Sequence, residues 1–135
     1  MSRAFLVDLD RCIGCYACEI ACKDENDLTS GVHRVKVQTV DVSALNRFYV
    51  PVFEMDKHGV GGCTLCPQLQ AEKRRPACVD NCLTSALDFG ESEEIETRVE
   101  HRARERFITS HKRAKIIYIS KKQISDQLKN EVTKS

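Results

Sequence analysis

Residues 12–22 read CIGCYACEIAC and hold four of the eight cysteines of this 135-residue chain. Two residues separate Cys12 from Cys15 and Cys15 from Cys18, and three residues separate Cys18 from Cys22. This spacing is typical of a run in which three thiolates bind one [4Fe-4S] cluster and the fourth binds a second cluster. The short gaps wrap the loop around three iron corners, while the longer gap carries the last sulfur to the far side.

A second group of cysteines repeats this pattern with a longer middle. Two residues separate Cys63 from Cys66, three separate Cys78 from Cys82, and eleven lie between the two pairs. By symmetry, we expect one cluster on Cys12, Cys15, Cys18 and Cys82, and the other on Cys22, Cys63, Cys66 and Cys78. All eight cysteines are then used, and two [4Fe-4S] clusters are the expected cofactors.

Zinc bound by thiolates is the main alternative, since two pairs of cysteines at long separation also suit tetrahedral sites. A disulfide framework is a weaker one, because the start of the chain does not read as a secretory signal and a reducing compartment keeps thiols free. The close spacing within residues 12–22, with a three-residue gap in both groups, favours clusters over zinc.

The overall charge predicts neither a nucleic-acid partner nor an anionic membrane. Lys and Arg number 21 against 20 Asp and Glu, a net charge of +1, so no overall field attracts polyanions. No apolar run approaches the roughly 18 to 20 residues of a membrane-spanning helix. We therefore expect no nucleic acid and no direct membrane insertion, and cytoplasmic location is the default, with export on a partner left open.

Apolar periodicity predicts an α+β fold. In chain order we expect a strand at residues 4–10, a helix at 16–28, a hairpin of strands at 33–42 and 48–55, a strand at 86–90, a helix at 91–113 and a strand at 114–120. The glycine-rich run 57–62 reads as flexible, and residues 121–135 read as a loose helix or disordered.

Residues around the first cysteine run have predictable roles. Gly14 permits the tight turn that aims backbone N–H groups at sulfur. Ile13, Ala17, Ile20 and Ala21 are expected to shield a cluster from water.

The charged segment after residue 90 is expected to form an amphipathic helix. Its apolar stripe consists of Ile95, Val99, Ala103 and Phe107, which follow one another at intervals of four. Arg102 belongs to a set of arginines spaced by two, which scatters them around a helix and predicts that they are solvated.

Two passages resemble the iron–sulfur subunits of molybdopterin oxidoreductases of the dimethyl sulfoxide reductase type. Residues 5–23 are similar to the first cysteine motif of that family, including Lys23 after the fourth cysteine. Residues 63–82, followed by the ALDFG ending at 86–90, are similar to its last motif. One departure is Leu83, where the family usually has Pro after the last cysteine, which bears on turn rigidity and not on ligation.

The resemblance implies a shortened, two-cluster member of that family, since the family's two middle motifs are absent here. Residues 1–90 would form a ferredoxin-like dicluster domain with the hairpin inserted at about 32–56. Residues 91–135 would form a C-terminal helix and strand extension that packs on this core or on a partner subunit. The implied partner is a large molybdenum or tungsten pterin catalytic subunit, with a further electron donor or acceptor protein.

The resulting expectation is a non-catalytic electron-transfer subunit of an oxidoreductase complex. We find no nucleophile and base pair, phosphate loop or paired-carboxylate motif. A free ferredoxin-like shuttle is the first alternative, although 53 residues follow Cys82 and a shuttle usually ends soon after its last cysteine. A zinc-binding interaction module is the second alternative.

Overall fold

The computed structural model describes residues 3–28, 34–43, 46–53, 63–102, 105–110 and 115–120. The elements in chain order are β1 (Arg3–Asp8), α1 (Ala17–Asn26), β2 (Val35–Ser43), β3 (Asn46–Phe53), α2 (Pro67–Gln70), α3 (Ala77–Asp80), β4 (Leu87–Glu91), α4 (Ser92–Arg102), β5 (Glu105–Ser110) and β6 (Lys115–Ser120). The expected α+β class is confirmed. The predictions for residues 57–62 and 121–135 concern parts of the chain outside this description.

A four-stranded sheet forms the centre of the fold, in the order β4-β1-β6-β5. β1 pairs antiparallel with β4 and parallel with β6, so that Phe5 lies opposite both Phe89 and Ile116. Beyond their first residues, β1 and β6 are buried throughout, which explains their continuous apolar runs. The two central strands therefore come from opposite ends of the chain.

The two faces of this sheet pack against different elements. On one face, Ile95 and Val99 of α4 pack with Leu6, Ile117 and neighbouring apolar residues of β1 and β6. The other face contributes to the main core, which also contains residues of the hairpin and cysteines of both groups. The cysteines thus lie on the side of the sheet opposite α4.

β2 and β3 form a separate antiparallel hairpin, where the alternation of apolar and polar residues predicts two strands. Its inner face packs on the sheet, since the rings of Phe5 and Phe53 stack with their centroids 4.2 Å apart. The buried hydroxyl of Tyr118 donates a hydrogen bond to the carbonyl of Pro51 at 2.8 Å. Pro51 is accommodated because β3 has a partner strand on one side only.

The prediction of one long helix over residues 91–113 is wrong. α4 ends at Arg102, and Phe107 lies in β5, opposite Tyr118 of β6. The rings of these two residues stack with centroids 4.8 Å apart, so strand pairing and ring packing override the helical periodicity. Ala103 of the predicted stripe lies outside the described residues.

The described helices are short, and α4 is the longest of them, at eleven residues. Within the described ranges, none of them combines the length and apolar character needed to cross a bilayer.

Candidate functional site

The first cysteine run begins where β1 ends. The backbone N–H of Cys12 donates to the carbonyl of Asp8 at 3.3 Å, which turns the chain out of the strand. α1 then begins at Ala17 and carries Cys18 and Cys22 one helical turn apart. The first two cysteines of the run therefore lie in a loop, and the last two lie on the helix that follows it.

Gly14 adopts the left-handed conformation that the turn requires, with φ of 72°. Its N–H donates to the sulfur of Cys12. The ring of Tyr49 in β3 lies so close that a Cβ on Gly14 would come within 2.6 Å of it. Both the backbone angle and the contact with the hairpin therefore favour glycine at this position.

The second group repeats this local turn. Leu65 lies two residues after Cys63, as Gly14 follows Cys12, and it has φ of 67°. Its N–H donates to the sulfur of Cys63. The internal similarity seen in the sequence therefore extends to backbone geometry. Because Leu65 has a Cβ, its left-handed conformation is strained, unlike that of Gly14.

Four thiols interact electrostatically around the first run. Burial raises the pKa of Cys12, and the neighbouring thiols of Cys82 and Cys15 raise it further, against the N–H of Gly14. Burial raises the pKa of Cys18 to about 12, with Cys12 and Cys82 acting in the same direction. Cys82, distant in sequence, is thus brought to the first run.

Backbone N–H groups favour the ionised form of the Cys82 thiol. Burial opposes ionisation, but N–H groups of Ala86, Leu87 and Thr84 outweigh it and lower the pKa of Cys82. The N–H of Ala86 lies 3.2 Å from the sulfur. These donors belong to the turn that leads into β4 and would also stabilise a metal-bound thiolate.

The other four cysteines line a single cavity. Its lining consists of Cys22, Cys63, Cys66 and Cys78 together with Asn26, Arg34, Val35, Phe53, Thr64, Leu65 and Pro76. α1, the start of β2, the end of β3, the 63–66 turn and α3 all contribute. The fold therefore gathers four thiols that span 57 positions of sequence.

Burial is the main influence on the thiols that line the cavity, and from here on these four, Cys22, Cys63, Cys66 and Cys78, are called the second group. It raises the pKa of Cys63 to about 11, with the thiols of Cys22 and Cys66 adding to the effect. It also raises the pKa of Cys22 and, well above its ordinary range, that of Cys78. Cys78 interacts with Cys18 as well as with the other thiols of the cavity, so the two groups are neighbours.

Two polar side chains face the thiols of the cavity. The amide of Asn26 donates to the sulfurs of Cys22 and Cys66, at 3.6 and 3.7 Å. Arg34 acts against burial by favouring the ionised forms of Cys22 and Cys63, and so limits the rise in the pKa of each. Neither residue belongs to a cysteine motif. Asn26 follows Cys22 by one helical turn, a spacing that could have predicted its position, whereas Arg34 has no comparable local signal.

The donor set fits iron–sulfur clusters chemically. All eight cysteines are free thiols, and N–H groups point at several of the sulfurs. Within the described ranges, no three His, Cys, Asp or Glu side chains are gathered closely enough to hold a single metal ion.

Two of the residues expected to shield a cluster from water, Ile13 and Ile20, lie largely exposed at the surface. Ile13 is 60% exposed and Ile20 is 66% exposed. Ile20 lines an open groove together with Leu83, which is also exposed. The surface beside the first cysteine run is therefore open, and it combines exposed apolar side chains with charged ones such as Asp24 and Glu25.

Arg102 is also not the solvated residue expected from the sequence. Its guanidinium donates to Asp8 at 2.8 Å, and the side chain of Asp8 is fully buried. Asp8 carries the carbonyl that accepts from the N–H of Cys12. α4 therefore supports the first cysteine loop through an ion pair that spans 94 positions of sequence.

Comparison with known proteins agrees with this chemistry. A family model described as a 4Fe-4S binding domain matches residues 3–24. The thiosulfate reductase electron transfer subunit PhsB of Salmonella typhi is 29% identical, over 67% of this chain and 77% of the relative.

Two further relatives are longer than the matched region. The probable anaerobic dimethyl sulfoxide reductase chain YnfG of Escherichia coli strain K12 is 29% identical over 67% of this chain and 32% of its own length. The formate dehydrogenase iron–sulfur subunit of Haemophilus influenzae is 29% identical over 69% of this chain and 22% of its own length. With its [4Fe-4S] motif, the chain is an iron–sulfur protein similar to electron-transfer and iron–sulfur subunits of reductases and dehydrogenases.

Proposed function

We propose that this chain carries two [4Fe-4S] clusters and relays electrons to or from a molybdenum or tungsten pterin catalytic subunit. The observation that carries the proposal is the arrangement of the eight thiols. Four of them line one cavity, and the sulfurs of Cys12, Cys15, Cys18 and Cys82 interact beside it. Two neighbouring sets of four soft ligands suit two clusters.

In this proposal the ligands are exchanged between the two cysteine motifs. One cluster is bound by Cys12, Cys15, Cys18 and Cys82, and the other by Cys22, Cys63, Cys66 and Cys78. Support comes from Cys82, whose sulfur interacts with those of Cys12 and Cys18. Support also comes from Cys22, which lies in the cavity with the second set.

The clusters would supply one-electron transfer, and the protein's own residues would do the rest. Cysteine thiolates bind, and N–H groups of the turns donate to sulfur and tune the potential. Apolar residues such as Val35 and Phe53 exclude water from the cavity of the second set. The exposure of Cys15 favours electron exchange with a partner at the first set.

The partner assignment draws on the relatives, whose names identify them as subunits of reductases or dehydrogenases. The chain spans most of the thiosulfate reductase subunit and about a third or less of the other two. A shortened, two-cluster version of such a subunit would match most of a short relative and only part of a longer one. The catalytic chemistry would then belong to the partner.

A free electron shuttle is the second candidate, and one observation favours it. The length of chain after Cys82 suggests a subunit, yet β6 pairs with β1 inside the central sheet. α4 packs on the same sheet. Residues up to 120 therefore serve the domain itself, and their presence does not require a partner.

The experiment is anaerobic purification of the untagged chain from its own cells, with iron, sulfide, zinc, molybdenum and tungsten counted and co-purifying proteins identified. We expect about eight iron per chain, four for each cluster, together with a large molybdenum- or tungsten-bearing protein. About eight iron on a lone chain would favour the shuttle. Zinc without iron would contradict both readings and support a zinc-binding interaction module.

A further inference from the structure

Arg34 stands at the entrance of the hairpin and faces the cavity of the second cysteine group. It directly precedes β2 and lines the cavity with Cys22, Cys63, Cys66 and Cys78. One terminal nitrogen of its guanidinium donates to the hydroxyl of Thr64 at 3.2 Å. Since Thr64 follows Cys63 directly, this hydrogen bond holds the guanidinium against the cysteine turn.

The Nε of the same guanidinium has no comparable partner among the described residues. This nitrogen is buried and makes no hydrogen bond within the part of the chain that the structure describes. A buried donor of this kind is uncommon in native proteins, because burying an unpaired polar group is costly. Its position at the thiol-lined cavity indicates that its positive charge acts on what the thiols bind.

The described lining of the cavity holds no carboxylate that would neutralise this charge. Apart from the cysteines and Arg34, it consists of Asn26, Val35, Phe53, Thr64, Leu65 and Pro76. Electrostatic interaction between the guanidinium and the sulfurs of Cys22 and Cys63 is already present. In a largely apolar cavity such an interaction is screened less than it would be in water.

We propose that Arg34 raises the reduction potential of the [4Fe-4S] cluster bound by Cys22, Cys63, Cys66 and Cys78. The inference rests on the proposed function, which supplies that cluster. One-electron reduction adds a negative charge to the bound group, and a fixed cation nearby stabilises the reduced form over the oxidised one. Arg34 is thus a potential-setting residue and not a ligand.

The charge distinguishes this residue from a purely structural one. Arg34→Gln removes the charge and keeps a donor that can reach Thr64, whereas Arg34→Lys keeps the charge with a different shape. Arg47→Gln is the matched control, because Arg47 lies on the same hairpin but is exposed and pairs with Asp41 at 2.7 Å. The cluster concerned is identified as the one whose signal disappears in Cys66→Ser.

The measurement is an anaerobic redox titration of the full, cluster-loaded chain, with any partner that co-purifies, followed by electron paramagnetic resonance. We expect Arg34→Gln to shift the oxidised-to-reduced equilibrium of that cluster about tenfold toward oxidised, a potential lower by about 59 mV for one electron. Arg34→Lys should keep most of the wild-type potential, and Arg47→Gln should leave it unchanged. The iron content of each variant is counted in parallel.

Four results would overturn the inference. Three are an unchanged potential in Arg34→Gln, an equal shift in the Gln and Lys variants, and equal loss of iron from both. The fourth is loss of iron from the Gln variant alone, because the charge would then be needed to hold the cluster and not to set its potential. A wild-type chain with two clusters and no Arg34 effect would leave the proposed function standing, whereas a wild type without clusters would remove both.

Discussion

The eight thiols form two spatial groups that share ligand chemistry and local turn geometry but differ in their surroundings. The first group is Cys12, Cys15, Cys18 and Cys82, and the second is Cys22, Cys63, Cys66 and Cys78. The first group lies in a surface loop and the start of α1, where Cys15 is exposed and apolar side chains such as Ile20 face solvent. The second lines a cavity under the hairpin, where Cys66 and Cys78 are buried. A repeated motif can therefore present one site outward and enclose the other.

This difference indicates a division of labour within the proposed relay. The open surface beside the first group carries exposed Ile13 and Leu83 next to charged side chains, and such a mixed surface is suited to contact with another protein. The second group is surrounded by residues of its own chain, including Arg34 and Asn26, and is suited to internal control of its potential. Variants that disturb one group and spare the other would test this comparison.

The largest expected effect separates two cysteines on the same helix. Cys18→Ser should damage one cluster and Cys22→Ser the other, although the two lie one turn apart on α1. Each variant should lose a different electron paramagnetic resonance signal, and up to about four iron atoms. Loss of the same signal in both would contradict the exchanged ligand assignment.

Gly14→Ala should have the next largest effect, and it should destabilise the first group more than the second. The left-handed φ costs about 1–2 kcal/mol for a residue with a Cβ, and overpacking against Tyr49 adds about 1–3 kcal/mol. We expect loss of visible cluster absorption at a lower urea concentration under anaerobic conditions.

Two controls separate the causes of this effect. Gly14→Ala should cost less stability in a Tyr49→Ala background than in the wild-type chain, because the contact is then absent and only the backbone cost remains. Gly90→Ala should change little, because a Cβ there would make ordinary contacts no closer than 3.5 Å. An equal effect of Gly90→Ala and Gly14→Ala would contradict the geometric explanation.

Arg102→Met should weaken the same group by removing the support of its loop. Breaking a buried ion pair costs about 3–5 kcal/mol. We expect about 2–3 kcal/mol here, because Arg102 is 25% exposed and Arg11 also lies 3.5 Å from Asp8. The urea midpoint should fall, and the double variant with Asp8→Asn should recover part of the loss.

The matched control for Arg102 lies on the same helix. Arg98 pairs with Asp88 and Glu94 at the surface, and exposed pairs contribute about 0–1 kcal/mol. Arg98→Met should therefore have a small effect. If it destabilised the chain as much as Arg102→Met, burial of the Asp8 pair would not explain the difference.

The smallest expected effect concerns the hairpin over the second group. Tyr118→Phe removes the hydrogen bond to the carbonyl of Pro51 and leaves that acceptor buried without this donor, at a cost of about 1–2 kcal/mol. Air-induced bleaching should then accelerate more for the second cluster than for the first. Tyr16→Phe is the control, since Tyr16 is 43% exposed; equal bleaching of both clusters would show that the hairpin does not protect the second group selectively.

Most elements of the fold were predictable because they depend on local patterns. The strand before the first cysteine run, the helix after it, the hairpin and the strand β6 all lie close to where periodicity indicates them. The end of α4 and the strand β5 were not, because Phe107 fits a helical stripe equally well in sequence. Pairing with Tyr118 in β6 decides between the two.

The candidate site was predictable in its ligands and not in its surroundings. Cysteine spacing identifies all eight ligand candidates, since their chemistry and local turns are properties of short segments. Asn26 and Arg34 were missed, and so was the ion pair of Arg102 with Asp8. Each acts on a residue that the fold brings close, and for Arg34 and Arg102 the sequence separation leaves no pattern to recognise.

The sequence by itself determined the iron–sulfur chemistry and the internal repeat, because thiolate ligands at short fixed spacings require only a loop and a helix to converge. The tertiary structure decided which group is open and which enclosed. It placed the hairpin over the cavity, directed Arg34 toward the thiols and inserted β6 beside β1. These outcomes depend on packing between distant segments. The free energy of packing arises only when two surfaces come into contact, so it cannot be read from one short stretch of the chain.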